Sequence, residues 1–567
     1  MSPSFLKALF LGELRHELLS PFPRLSGEQR EVVDLFRESL QRFATASIDS
    51  RAIDREHSIP RTVIDGLAEL GLFGMRVPEE YGGLGLDLSS YVRIGADLSM
   101  LDGAVAILSG GHSTIGIKAL LLFGSAEQKA RYLPRLATGE LLAAFALSEP
   151  GAGSDAQALR TTATRTPDGR HYLLNGEKLW ITNGGFADLV TVFARTPDHP
   201  RADGRPSISC FLVERAHGFT SGPEEDKLGI RGSSTVPLLF QDVKVPAENL
   251  VGEPGQGFRI ALEVLNTGRT GLAGGCVGSC RFLLARMAEY VAERRQFGRP
   301  IGEFELVREK LGRCALDIHA LECMTFLTTG LSDRGHEDLA LEAAACKVFG
   351  TETLWRTVND AMQCAGGNGF TTDYPYERML RDARVNMIFE GTNEILRLMI
   401  AGNGIAEPGR RLAAAGPGAA GPAAATGDFG KRARGAEAPD PMPVPAPLRS
   451  EALALSLGTA DLVQATTAAL VAHGPALKDR QLVLAALADQ AIALYGQAAV
   501  LARAKDVVAS RGEEAAADEL LLARGACRRL SALARSAVAS LRDNDHDLLL
   551  GAADLARRHT GLPGDPA

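Results

Sequence analysis

The spacing of apolar residues changes twice along this chain, and the order of the changes limits the folds open to it. Residues 26–138 repeat apolar side chains at helical spacing. Ser26 and Gln29 stand at capping-box spacing ahead of Val32, Val33, Phe36 and Leu40 on one stripe, and helical segments follow at 61–71, 89–101 and 113–136. Between them Pro78-Glu-Glu-Tyr-Gly-Gly-Leu-Gly85 reads as a loop. From 139 the pattern becomes short strand-like runs at 172–175, 189–194, 208–213 and 236–240, separated by turn signals such as Asp168-Gly169 and Asn183-Gly-Gly185. After Gly255 helical spacing returns and persists to about 402. Helices, then strands, then helices, with no alternating βαβ units, exclude a doubly wound sheet and predict an α+β chain.

The chain has 567 residues, which at about 150 per domain allows three or four domains. Apolar residues make up 45% and charged residues 23%, enough for a large core and against wholesale disorder. A formal charge of −8 argues against a nucleic-acid partner. The eight cysteines form no Cys-x-x-Cys pair and suit neither a disulfide scaffold nor a zinc site, so no metal is expected and the thiols read as free, in a reducing compartment. The start lacks the charge and apolar run of a secretory signal. The longest uncharged run, Gly103 to Ile117, reads as too short and polar for a bilayer span. These features predict a cytoplasmic protein.

Residues 408–447 contain eight prolines, seven glycines and twelve alanines and read as a flexible linker. Beyond it, 451–472, 480–511 and 513–541 carry helical patterns that suit a small bundle. The expected division is an N-terminal helical domain (1–138), a middle β domain (139–253), a second helical domain (254–405), a linker (406–449) and an appended helical domain (450–567).

Five segments could carry chemistry, each with a structural alternative. Phe145-Ala-Leu-Ser-Glu-Pro-Gly-Ala-Gly-Ser-Asp155 runs from an apolar strand into small residues that expose backbone N–H groups, either a ligand cradle or a plain strand exit. Trp180, beside Ile181 and Thr182, is either a flat platform for a heteroaromatic ligand or a core tryptophan. Arg294 and Arg295, followed by Gln296, Phe297 and Gly298, either pair with a pyrophosphate or complement a helix dipole. Gln363 opens a Gly-rich break through Gly366 and Gly367, which permits close ligand approach or forms a C-cap. Glu390, between Met387-Ile-Phe389 and Gly391, is either a desolvated general base or a capping carboxylate.

In this order the five segments resemble the acyl-CoA dehydrogenase family. Leu265-Asn-Thr-Gly-Arg269, Ile388-Phe-Glu-Gly-Thr-Asn-Glu-Ile-Leu-Arg-Leu398, Leu487-Ala-Asp-Gln-Ala-Ile-Ala-Leu-Tyr495, the surplus C-terminal helices and the opening Ser4-Phe-Leu-Lys-Ala-Leu-Phe10 resemble its very-long-chain subgroup. The resemblance implies a helical domain, a middle β-barrel or sandwich, a C-terminal four-helix bundle and appended helices. It implies FAD, whose ring would contact Phe145, Leu147, Ser148, Gly153, Ser154, Trp180, Ile181 and Thr182. Arg294, Gln296, Phe297, Gln363, Gly366 and Gly367 would meet its diphosphate and adenosine, partly across a homodimer interface, and Gly391, Thr392 and Asn393 would complete the site.

Glu390 falls at the family's base position and would take the α-proton of a fatty acyl-CoA as the β-hydride leaves to flavin, giving a trans-2-enoyl-CoA. Some branches place the base just before the arginine of the 265–269 motif, which here is Gly268. Ser154, Asn266, Arg269, Glu390 and Gly391 would contact substrate, and electrons would pass to an electron-transfer flavoprotein. The absence of a transit peptide points to a bacterial cytoplasm, with attachment at the inner membrane left in doubt by the Gly/Ala/Pro composition of 408–447. Gly110, Gly111 and Gly116 are candidates to line the acyl pocket. An acyl-CoA oxidase and a non-catalytic, flavin-bearing respiratory assembly factor are the alternative functions.

Overall fold

Side-chain caps start the first helices. Ser26 and Gln29 make a reciprocal capping box at the head of helix Gly27–Ser47 (Gln29 N to Ser26 Oγ, 3.1 Å; Ser26 N to Gln29 Oε1, 2.7 Å). Asp87 and Asp102 cap Leu88–Leu101 and Gly103–Gly110. The single helix expected at 113–136 is instead three pieces: a π-helical turn at Gly111–Gly116, then Lys118–Phe123 and Ala126–Ala137. A second capping box, Ser125 with Gln128, restarts the chain after Gly124, and a new cap competes with continuation of the preceding helix. The computed structural model describes residues 4–200, 204, 206–414, 427–435 and 437–559.

The middle segment forms one mixed sheet: β1 (Ala143–Ala146), β2 (Thr162–Arg165), β3 (His171–Thr182), β4 (Leu189–Pro200), β5 (Pro206–Glu214), β6 (Thr220–Ser221), β7 (Thr235–Pro246) and β8 (Leu250–Val251). The hydrogen-bonded order is β6-β7-β3-β2-β4-β5-β8, with β1 also on β4; β1 and β2 run parallel to β4 and the other pairs are antiparallel. Alternation along β4 separates two cores. Leu189 and Phe193 pack with Leu120, Leu133 and Leu136 of the N-terminal helices and Ile260 and Val264 of the next helical segment. Val190, Val192 and Ala194 face the interior of the curled sheet, where Tyr172 of β3 meets Phe211 of β5 at 5.0 Å.

Three long helices follow, Gly257–Glu293, Glu305–Asp333 and Ala340–Ala365, then the shorter Tyr376–Val385 and Asn393–Gly404. The first runs unbroken for 37 residues and is crossed closely by Leu88–Leu101. That crossing needs glycine: a Cβ on Gly278 would stand 1.9 Å from the carbonyl oxygen of Ala96.

The chain divides into two compact units, and the division differs from the expected boundaries. Residues 22–395 form one. Residues 4–21 belong with the second unit, which begins at 396, and not with the helices that follow them in sequence. There Phe5, Leu6, Leu9 and Phe10 are buried, and the Phe5 ring meets Tyr495 at 5.9 Å. The body of this unit is Arg449–His473, Gln481–Arg511 and Ala517–Arg542.

The described part of the expected linker is not loose chain. Ala406–Ala414 and Gly427–Ala433 are helices; Phe429 and Ala433 pack against Val463, and Met442 is buried. The Gly/Ala/Pro bias hid these few large apolar anchors; residues 415–426 and 436 of that stretch lie outside the described residues. Among the described residues three helical stretches, 103–123, 446–479 and 481–511, are long and apolar enough to cross a bilayer by length and composition. The first corrects the sequence expectation for 103–117, because helical structure continues through Phe123. In 481–511 most of the apolar surface is spent inside the fold.

Gly278→Ala is expected to destabilise the first unit by about 1–3 kcal/mol, because the new methyl meets backbone and one of the two helices must move. Urea unfolding of both proteins checks this through a lowered midpoint.

Candidate functional site

Glu390 sits in a turn that two buried cations hold from outside. After helix Tyr376–Val385 the chain folds back, with Asn393 N donating to Met387 O at 3.1 Å. Glu390 and Gly391 both have positive φ (58° and 91°), a conformation that costs a non-glycine residue free energy and so requires support. Arg269 Nε donates to the Glu390 carbonyl at 3.1 Å, and Arg269 Nη1 to Asn266 Oδ1 at 3.2 Å. Lys347 Nζ donates to the Gly391 carbonyl at 2.9 Å and to Asn393 Oδ1 at 2.8 Å. The Thr392 hydroxyl accepts from Ile395 N at 3.3 Å and starts the next helix.

The Glu390 side chain points at Gly268 of helix Gly257–Glu293. A Cβ on Gly268 would lie 2.7 Å from Glu390 Oε2. That oxygen is buried and makes no hydrogen bond in the structure. Burial pushes the carboxyl above the usual carboxylate range, against the opposing pull of Arg269 and then Lys347. Glu390 therefore does not cap the next helix, whose first turn is held by Thr392, and its Oε2 is left without a partner.

The segment 145–154 and the strand carrying Trp180 form a second cluster. Phe145 lies on β1, its ring 5.0 Å from Phe193, and Leu147 is buried. Leu179 N donates to Ser148 O at 3.0 Å, which fixes the loop to β3. Lys178, fully buried, donates to Glu149 at 2.8 Å and to the Leu147 carbonyl at 3.2 Å; Glu149 also accepts from Thr161 N at 3.0 Å. Beyond this anchor Gly153 and Ser154 are exposed, and a Cβ on Gly153 would meet nothing within 4 Å.

A register shift between Lys178 and Ile181, with φ of 58° at Trp180, breaks the alternation of β3. Ile181 therefore points inward and Trp180 is turned out, 60% exposed. That excludes the core reading of Trp180.

The π-helical turn Gly111–Gly116 joins these two clusters. At one end a Cβ on Gly111 would stand 2.9 Å from Thr182 Cγ2, and Asn183 Nδ2 donates to Leu108 O at 3.0 Å. At the other end Ile115 Cγ2 would lie 3.0 Å from a Cβ on Gly268. Thr182 and Glu390 thus approach one short segment from two sides. His112 within it accepts from Ala143 N at 3.1 Å, and burial pulls its imidazole down to about 4, so it stays neutral and structural.

Arg294, Gln296 and Phe297 are not brought to Glu390. The long helix stops at Glu293, and the following residues make a small hairpin, Arg295–Gln296 with Arg299–Pro300. Phe297, at φ 52°, is 93% exposed at its tip. Gln363, Gly366 and Gly367 share this end of the fold: helix Ala340–Ala365 breaks at Gly366 (φ 60°), and Asn368 Nδ2 donates to the Tyr290 hydroxyl at 3.3 Å. Arg294 lies 25 residues along the helix from Arg269, about 37 Å at 1.5 Å per residue.

Lys178, Glu149 and Lys347 escaped notice in the sequence. Their signal was present, since Lys347 is a single charge between Ala343-Ala-Ala-Cys346 and Val348-Phe349, but an isolated lysine carries no spacing pattern.

The flavin implied by the resemblance fits the residues present. The outward Trp180 indole, the Thr182 hydroxyl and the open Gly153 cradle offer a face and backbone donors to a flat heteroaromatic ring, with the unpartnered Glu390 oxygen on the other side of the Gly111–Gly116 turn.

Comparison with known proteins agrees over most of the chain. Family models match residues 30–140 (acyl-CoA dehydrogenase, N-terminal domain), 144–243 (middle domain), 255–405 (C-terminal domain) and 446–550 (ACAD9/ACADV, C-terminal domain). The very long-chain specific acyl-CoA dehydrogenase of Macaca fascicularis is 39% identical over 562 residues, covering 96% of this chain and 86% of the relative. A probable acyl-CoA dehydrogenase of Bacillus subtilis is 45% identical over 364 residues, 61% of this chain and 60% of that protein. Among solved structures, an acyl-CoA dehydrogenase complexed with FAD from Bacillus anthracis superposes with a TM-score of 0.79 at 32% identity, covering 97% of this chain and 94% of its own. Butyryl-CoA dehydrogenase from Megasphaera elsdenii gives 0.63 at 36% identity, over 67% and 98%. The protein therefore belongs to the acyl-CoA dehydrogenase family, FAD-dependent oxidoreductases that act on acyl-CoA.

Proposed function

We propose that the chain converts long-chain fatty acyl-CoA to trans-2-enoyl-CoA with Glu390 as the base, works as a homodimer, and hands its electrons to an electron-transfer flavoprotein. The observation that carries the chemistry is the buried, unpartnered Oε2 of Glu390. Its carboxylate takes the proton from Cα of the acyl group. The Glu390 backbone N–H polarises the thioester carbonyl, favouring negative charge on that oxygen as the proton leaves. Arg269 and Lys347 oppose the effect of burial, so the base remains ionisable while water is excluded. Bound FAD supplies the acceptor for the hydride leaving Cβ.

We assign the acyl tail to a cavity in the first unit, whose lining includes the charged Asp102, Arg378 and Asp382. It is also lined by Leu272, Gly275 and Cys276 on the long helix, Ala106 and Ile107 on Gly103–Gly110, and Met379 on Tyr376–Val385. Leu272 is one turn beyond Gly268, and the lining continues to Ser279, about 16 Å along the helix from Gly268. Gly111 and Gly116, candidates from the sequence, are packing glycines: each would clash within 3 Å of a neighbour. Gly110 is uncrowded.

The homodimer reading is supported by the exposed Phe297, Leu306 and Phe370 at the end of the fold that carries Arg294, about 37 Å along the helix from Arg269. The hairpin of one subunit would then serve the flavin of the other, as apolar exposure of this kind marks an interface.

Glu390→Gln is expected to lose about 10³-fold or more of kcat, since the variant cannot accept the proton. Anaerobic stopped-flow bleaching of the flavin by palmitoyl-CoA measures it, and bleaching at the parent rate removes Glu390 as base. In the parent enzyme kcat should rise with pH through a midpoint above the ordinary carboxylate range, because the base acts only when deprotonated. Gly268→Ala should lower kcat about 10–100-fold with a small change in melting temperature, as the methyl meets the Glu390 carboxylate and the Ile115 side chain and not backbone. Ala106→Phe should reduce kcat/KM for palmitoyl-CoA far more than for hexanoyl-CoA, measured over a chain-length series; hydrogen peroxide formed without an added carrier would overturn the electron-acceptor assignment.

A further inference from the structure

One fully buried cation beside the base has, beyond its electrostatic effect, two oxygens to hold, one of the backbone and one of a side chain. Lys347 lies on Ala340–Ala365 with its side chain out of contact with solvent, a placement whose desolvation cost is tolerated only where the charge is well partnered. Its partners are not carboxylates at hydrogen-bond distance. They are the Gly391 carbonyl (2.9 Å) and Asn393 Oδ1 (2.8 Å), one and three residues past the base. Asn393 is itself oriented, its Nδ2 donating to Thr351 Oγ1 and Glu352 Oε1, both at 3.1 Å.

Two consecutive carbonyls, those of Glu390 and Gly391, are therefore each held by a separate buried cation from a separate helix. This happens at the two residues whose positive φ makes the turn unfavourable in isolation. We propose that Lys347 is a positioning residue for proton abstraction: its ammonium pins the Gly391 carbonyl and Asn393, and so aims the Glu390 carboxylate at the substrate Cα while adding positive charge beside it.

Charged and titratable groups face this pair from every side that packs on it. Arg269 and Cys276 come from the long helix, Glu394 from the helix after the turn, and Glu352 from the helix of Lys347 itself. Burial pulls the ammonium down to about 8, opposed by Cys276 and Glu390, so it carries charge at neutral pH.

The inference rests on Glu390 being the base, and the two can fail separately. An active Glu390→Gln enzyme defeats the base assignment. With Glu390→Gln inactive, Lys347→Met is the test, read by kcat, KM, the pH midpoint of kcat and the melting temperature of FAD-loaded and FAD-stripped protein. We expect kcat to fall about 10²-fold with KM changed by less than about threefold, as for an interaction that serves only the transition state. The midpoint of the kcat–pH curve should move upward, because a positive charge that favoured the ionised base is gone.

Lys347→Arg, which keeps the charge, should restore the midpoint and part of kcat. If Lys347→Met does not fold, Lys347→Gln replaces it, keeping a donor in the same place without the charge. A neutral variant that melts lower yet keeps the parent kcat and pH midpoint would overturn the proposal and leave Lys347 a packing residue. So would an arginine variant whose midpoint moves as far as that of the neutral one.

Discussion

As the proposed base, Glu390 has to be dry enough to act on a carbon acid and still able to ionise, and that tension shapes its surroundings in the first unit. Burial alone favours the protonated carboxyl. Two cations on two different helices, Arg269 and Lys347, offset that burial without forming a direct salt bridge that would occupy the oxygen needed for chemistry. They grip the backbone on the C-terminal side of the base instead. A long, continuous helix suits the task because it carries Gly268, which makes room for the carboxylate, and Arg269, which holds its backbone, on adjacent residues.

The middle sheet solves a related problem with the same device. The loop after β1 is anchored from below by Lys178, another fully buried ammonium, bound to Glu149 and to the Leu147 carbonyl. The bulge that follows turns Trp180 outward and sends Ile181 into the core. Buried lysines thus support both halves of the site, and the irregular π-helical turn at 111–116 lies between them. Positive φ at Trp180 and Glu390 turns each side chain to its place, while His57, Asn183, Ile230, Asp242 and Phe297 share that backbone region.

Much of the framework was legible in the sequence because it depends on local rules. Ser26 with Gln29 announces a capping box, and Tyr172-Leu-Leu-Asn175 announces a strand. Glu390 beside an apolar run announces a desolvated carboxylate, though with a cap as the equal alternative. The resemblance, carried by five motifs, added the family and its cofactor. Other features left no local trace. Nothing within residues 4–10 says that they pack beside Tyr495, and the composition of 408–447 concealed the packing of Phe429 on Val463.

What the sequence by itself determined is the succession of helices and strands, the caps that begin them, and the residue types of the site, because these follow from periodicity and from groups a few positions apart. Tertiary structure alone decided which way Trp180 faces, that Gly268 lies against Glu390 across 122 positions of chain, and that Lys347 ends on the Gly391 carbonyl. The physical reason is common to all three. A bulge, a close approach of helices and a buried charge are each unfavourable in isolation, and each persists only because contacts from distant segments compensate it.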